Sequence, residues 1–177
     1  QPVGTLFNLI STFGSLVEDL LKSFGIATGI ILILMTLALK SIKLGAIAML
    51  PNLLPVAFTM GSMAVLGIPF DMSTVLFASI ILGICVDDTI HFLTAYERHR
   101  TANPSGTSRD AVAHAYATAG RSMFDTSLVL MAGLLTLGAS EFNGFLTLGG
   151  FTAWAVLAAL LTDLFLLGPL LVALDKR

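Results

Sequence analysis

Asp87 and Asp88 are adjacent carboxylates in an otherwise apolar stretch, and His91 follows within one helical turn. If that stretch crosses a membrane, each carboxylate near its centre costs about 2.5–3.5 kcal/mol to insert, so a pair is retained for a task. Neighbours on a helix point about 100° apart, and both carboxyls can therefore face one groove between helices. His91, three and four residues on, shares their face. Such carboxyls titrate as a coupled pair. At neutral pH the pair could hold one shared proton or bind a small cation, or serve as a structural pair neutralised by a partner helix. His91 suits a proton relay, or it simply hydrogen-bonds at the interface.

Four further groups are secondary. Thr126 and Ser127 lie at a similar depth and can relay a proton through their hydroxyls, or else bond back to their own helix. Asp163 is a buried acid whose role is either functional or structural. Asp125 reads as an interfacial charge near a helix N-terminus. Three donors on one helix, with no further His or Cys nearby, do not make a metal centre, and neither metal nor cofactor is expected. The lone Cys85 reads as a packing residue. An intramembrane protease would place its acids across helices from each other and carry Gly-x-Gly-Asp. Here Gly83-Ile84-Cys85-Val86 precedes Asp87, and no enzyme is expected.

The elements that must position these groups follow from composition. Hydrophobic residues make up 56% of the 177-residue chain and charged residues 11%, against about 25% charged in soluble domains. With mean hydropathy at +0.93, both a water-soluble domain and a disordered chain are excluded. A net charge of −2 offers no basic field for nucleic acid. The expectation is an all-α integral membrane protein. The first residue, Gln1, and the lack of a basic leader suggest a piece of a longer chain.

A membrane helix needs about 20 apolar residues. Charge-free runs place five, at about 23–39, 44–66, 72–96, 123–141 and 146–174. Before them, residues 1–22 carry apolar positions at a 3–4 spacing (Leu6, Leu9, Phe13, Leu16, Leu20). This predicts an amphipathic helix along the outer interface, linking to an external domain. Pro51 and Pro55 should kink or delay the second span. Thr107 to Asp110 form a capping pattern for a short helix whose Val112, Ala115, Tyr116 and Ala119 would face the membrane. Small residues at Ser79, Gly83, Gly133, Gly149 and Gly150 favour close helix approach in lipid. Lys40, Lys43, Arg98, Arg100, Arg109, Arg121, Lys176 and Arg177 all fall on one face of the five-span arrangement. The positive-inside rule then puts the C-terminus in the cytoplasm and the N-terminus outside.

The run Gly83-Ile84-Cys85-Val86-Asp87-Asp88-Thr89-Ile90-His91-Phe92 resembles the G-x-x-V-D-D-x-I-H-F signature of resistance–nodulation–division (RND) permeases. The likeness is to their MmpL-like, Patched-like and hopanoid-exporter branch. Ser41 to Gly45 with Pro51-Asn52-Leu53-Leu54-Pro55, the loop from Gly67 to Met72, and Gly120-Arg121-Ser122 with Thr126-Ser127 are similar to three further family motifs in the same order. Lys40-Ser41 stands where the family has Arg-Ser, and Asp125 where an apolar or hydroxyl residue is commoner. The resemblance implies helices eight to twelve of a twelve-helix inner-membrane transporter, multi-pass, completed by an N-terminal half and external domains. It implies proton-driven export of lipids or other hydrophobic molecules, with Asp87 and Asp88 as coupling carboxylates and Thr126 as a relay hydroxyl. Sodium coupling, or a non-transporting sterol- or lipid-sensing module, are the alternatives. A homo-oligomer is compatible with the sequence.

Overall fold

The computed structural model describes residues 2–68, 72–137 and 143–174, with side chains for 18–19, 21–68, 78–137 and 148–174. The elements are α1 (Pro2–Leu39), α2 (Ile42–Val65), α3 (Met72–Ala102), α4 (Ser108–Ala115), α5 (Arg121–Thr136), α6 (Asn143–Thr162) and α7 (Gly168–Leu174). Two π-helical turns, Tyr116–Gly120 and Asp163–Leu167, join α4 to α5 and α6 to α7. The chain is an all-α membrane bundle, as its composition requires. Among the described residues, four stretches are long and apolar enough to cross a bilayer: Leu21–Leu39, Ile42–Val65, Ala78–Ala102 and Leu148–Leu174. They overlap four of the five expected ranges, with the third shifted six residues towards the C-terminus. The remaining one, 123–141, falls on α5, which has 16 residues; positions 138–141 lie outside the described residues.

Two local expectations change. The amphipathic segment and the first span form one unbroken 38-residue helix, α1. The change at Lys22 is one of composition, not of backbone. There Lys22 pairs with Glu18 (2.9 Å) and Asp19 (3.7 Å) on an exposed face. The apolar side of α4 does not face lipid either. Ala111, Val112 and Ala115 are buried in a cluster with Phe92, Leu93 and Tyr96 of α3 and with Leu167 and Leu171. Their small side chains let α4 lie close against α3, which packs against α1, α2, α4 and α6.

Local sequence explains the turns. Lys40 takes a left-handed φ of 50°, and Ser41 then caps α2 by accepting from Leu44 N at 3.3 Å. A Cβ on Gly45 would meet Thr36 Oγ1 at 2.6 Å, so glycine lets α2 fold back on α1. Gly67, at φ 68°, ends α2: its N–H donates to Ala64 O (3.2 Å) and that of Ile68 to Met63 O (3.0 Å). This is a Schellman closure. Positions 69–71 of the expected Gly67–Met72 loop motif lie outside the described residues.

The core has two apolar layers. One holds Met35, Leu44, Ala48, Phe92, Tyr96, Leu167 and Leu171. The other holds Val56, Ile81, Leu82, Cys85, Ala155 and Ala159, which confirms Cys85 as a packing residue. Between them in sequence, on three different elements, lie the buried polar residues Asn52, Thr89 and Asp163.

Despite Pro51 and Pro55, α2 runs without a break. Pro55 has no N–H to give the Pro51 carbonyl; Thr162 Oγ1 of α6 lies 3.3 Å from that carbonyl, while its single hydrogen also has the nearer carbonyls of Ala159 (2.8 Å) and Ala158 (3.0 Å) on its own helix. A closer contact is made further on. Pro169 withholds the N–H that the Leu164 carbonyl would accept in π register, and Tyr116 Oη donates to Leu164 O at 2.6 Å. Freed carbonyls in a membrane require such partners.

Two predictions follow from this packing. A Cβ on Gly149 would collide with the Leu134 carbonyl of α5, whereas one on Gly150 would enter open space. Gly149→Val should therefore destabilise the α5–α6 contact by at least about 1–3 kcal/mol, and Gly150→Ala should not. Thermal unfolding of the two variants in detergent gives the comparison. The α4 cap is reciprocal: Thr107 Oγ1 and N donate to Asp110 Oδ2 (2.7 and 3.1 Å), and Asp110 N donates to Thr107 Oγ1 (3.2 Å). The Thr107 hydroxyl, then its N–H, hold the Asp110 carboxyl below the usual range. A depressed folded-state pKa gives stability that is present above the unfolded value and lost as pH falls through the folded one. Hydrogen-exchange protection of α4 should drop over that acidic interval, and Asp110→Asn should flatten the dependence.

Candidate functional site

One cavity of about 280 Å³ is lined by Asp87, Asp88 and His91 of α3, Thr118 and Ala119 of the first π turn, and Ser122, Met123 and Thr126 of α5, with Ala95 behind. The helix period puts the acids and the histidine on one side of α3. The π turn adds a residue to the opposing helix and presents Thr118 beside Ser122; single π turns of this kind recur at functional sites.

Within the cavity the two carboxylates differ. Asp87 is exposed, its side chain at 77%, and faces His91 Nε2 across 3.6 Å. Asp88 is half-buried and accepts from Ser127 Oγ at 3.2 Å. Thr126 lines the cavity but donates to its own helix, to Ser122 O (2.8 Å) and Met123 O (3.1 Å). Of the two hydroxyls singled out in the sequence, Ser127 is thus the one bonded to a carboxylate. Asp125 pairs with exposed Arg121 (3.8 Å), as an interfacial charge would. No group of three or more acidic, His or Cys side chains among the described residues could hold a metal ion.

Asp163 is not in this cavity. It is 2% exposed and belongs to the dry polar layer: Thr89 Oγ1 lies 3.0 Å from its Oδ1 and 2.9 Å from Asn52 Oδ1. Asn52 Nδ2 donates to Ala48 O at 2.9 Å. Neither Thr89 nor Asn52 stood out in the sequence, because a single threonine or asparagine in a span carries no pattern. Their signal was indirect. Thr89 falls within the Asp87–His91 turn but points to its opposite side, and Asn52 sits between two helix-breaking prolines.

Tyr116 links the sites mechanically. It begins the first π turn, packs edge-on against Phe92 at 4.7 Å, and bonds the Leu164 carbonyl within the second π turn. Burial pushes its hydroxyl above the usual phenol range, so it remains a donor at neutral pH. A Cβ on Gly168 would lie 2.5 Å from that hydroxyl, which explains a glycine there.

An all-helical membrane bundle with an acidic cavity on one side and a buried polar layer within is the class of protein that fold and site define. The sequence matches the family described as the sterol-sensing domain of SREBP cleavage-activation over residues 23–177, and the chain belongs to that family. It is also 29% identical over 168 residues to a relative in Methanocaldococcus jannaschii named as membrane protein MJ1562. The match covers 92% of this chain and 42% of that protein, so the chain spans less than half the relative's length.

Removing the Tyr116 hydroxyl should cost about 0.5–1.5 kcal/mol, the value of one hydrogen bond. Gly168→Ala should cost more, through overpacking. In Tyr116→Phe/Gly168→Ala the hydroxyl contact is gone, so the combined loss should be smaller than the sum. A double-mutant cycle of thermal unfolding reads that coupling.

Proposed function

We propose that this chain is the C-terminal membrane half of an RND transporter of the MmpL-like, Patched-like and hopanoid-exporter branch, driven by the proton-motive force to export lipids or other hydrophobic molecules. The carrying observation is the cavity in which Asp87, Asp88 and His91 meet the hydroxyl-bearing wall of Thr118, Ser122 and Thr126. Asp87 and His91 have side chains more than 70% exposed within a membrane-crossing stretch. Hydrocarbon does not tolerate such a face. In this reading the N-terminal half of the parent chain covers it, leaving a wet path for protons. Protonation of Asp87 and Asp88 removes their charge and lets α3 shift against α5, which moves the external domains that pass substrate. Each proton supplies about 2.3 kcal/mol per 100 mV of potential. Ser127 steadies Asp88, His91 and Thr126 complete the relay, and no step is enzymatic. The chain would sit in a bacterial inner membrane, C-terminus in the cytoplasm and N-terminus outside, with self-association open.

A second reading is favoured by the family match itself: a lipid-sensing module that moves nothing. An apolar groove of about 650 Å³ between α2 and α6, where Phe58 stacks on Trp154 at 5.7 Å, would receive the lipid. Sodium in place of the proton is a variant of the first reading. Substrate-stimulated proton flux in proteoliposomes of the full-length parent separates these readings. Asp87→Asn, inserted normally, should abolish the flux. Flux equal to wild type would reject the coupling role, and substrate movement driven by sodium alone would select the sodium variant. No flux of either kind with lipid bound would select the sensor.

A further inference from the structure

The dry polar layer contains a proton that can be counted. Three oxygens stand in a row across three elements: Asn52 Oδ1 on α2, Thr89 Oγ1 on α3 and Asp163 Oδ1 at the start of the second π turn, with separations of 2.9 and 3.0 Å. Each contact at that distance needs one hydrogen. Thr89 supplies one. The Asn52 carbonyl supplies none, and its amide nitrogen is engaged 2.9 Å from Ala48 O, with Met35 Sδ at 3.8 Å. Turning that amide over would set its oxygen against the Ala48 carbonyl, two acceptors face to face, so its orientation is fixed. The second hydrogen must come from Asp163.

The surroundings agree. Asp163 is 2% exposed, and its second oxygen, Oδ2, is buried without a hydrogen-bond partner. The titratable groups near it are Asp88 and Cys85 on α3 and Tyr116 on the first π turn. The hydroxyl of Tyr116 lies 3.5 Å from Asp163's own backbone carbonyl. From α2 the facing group is the neutral Asn52. None of these is a cation, and a bare carboxylate in such a place lacks both solvent and counter-charge.

We propose that Asp163 is a proton-binding site of the bundle, occupied at neutral pH, whose proton completes an Asp163–Thr89–Asn52 chain tying the second π turn, α3 and α2 together. With the proton in place, Asp163 donates to Thr89 and Thr89 donates to Asn52. When it leaves, the Thr89 hydroxyl turns to the carboxylate, the Asn52 carbonyl loses its donor, and the tie between α3 and α2 opens beside the two prolines. This site is separate from the Asp87–Asp88 cavity and stands whether or not that cavity couples transport.

Infrared difference spectra of the full-length protein in nanodiscs test it. At pH 7 the wild type should show the carbonyl stretch of a protonated carboxyl, shifted in heavy water. The band should vanish in Asp163→Asn and persist in Asp87→Asn. Thr89→Val, which keeps the carboxyl but removes its acceptor, should move the band to higher frequency, and it serves if Asp163→Asn does not fold. A wild-type spectrum without the band, or a band that both variants leave unchanged, would overturn the proposal. Neither result bears on proton flux through the Asp87 variant, so the two readings fail separately.

Discussion

Hydrocarbon offers no hydrogen-bond partner, so every polar atom placed in it must find one in the protein. That constraint organises the middle of this bundle. Asn52, Thr89 and Asp163 bond to one another across three elements, with Asp163 Oδ2 alone among their side-chain polar atoms left without a partner, and the apolar layers pack on either side of them. The Leu164 carbonyl that Pro169 leaves free is answered by the Tyr116 hydroxyl, and the Thr162 hydroxyl of α6 comes within reach of the Pro51 carbonyl that Pro55 leaves free. Helix irregularities and helix contacts are thus two sides of one requirement. A proline is tolerable where a neighbour brings a hydroxyl, and that hydroxyl then fixes the neighbour's position.

Helix α3 carries both polar regions within a single turn. Asp87 and His91 look outward into an open cavity, while Thr89 is fully buried and looks inward. Consecutive side chains differ by about 100°, so a small rotation or slide of α3 is felt on both sides at once. The structure therefore joins a region that water or another protein segment must cover to one that excludes both. Tyr116 adds a second connection, because the helix forming the cavity's far wall is bonded through it to the turn that presents Asp163.

Much of this was legible in the sequence. Charge-free runs overlap the four stretches long and apolar enough to cross a bilayer, the i, i+3/i+4 spacing places His91 with the acids, and the Thr107–Asp110 cap forms as written. Of the glycines expected at close approaches, Gly149 abuts the backbone of α5, whereas Gly83, Gly133 and Gly150 face open space. What stayed hidden depends on which residues meet across helices. Thr89 and Asn52 are unremarkable alone and acquire meaning only from an Asp163 that lies 74 positions beyond Thr89. The inward face of α4 escaped for a similar reason. Alanines are weakly apolar, and whether they meet lipid or protein is decided by the partner that fits against them. The continuity of α1 escaped because amphipathic and fully apolar stretches share one helical period.

That continuity has a mechanical side. Thirty-eight residues at 1.5 Å each make a rod of about 57 Å, nearly twice the thickness of the roughly 30 Å hydrocarbon slab. A rod fixed at one end by the tight turn at Lys40 and Gly45 amplifies displacement. A tilt of about 10° there swings the far tip, about 57 Å away, through about 10 Å. A small change of angle around Thr36 and Gly45 would in this way be geared up into a large displacement at the far end of α1.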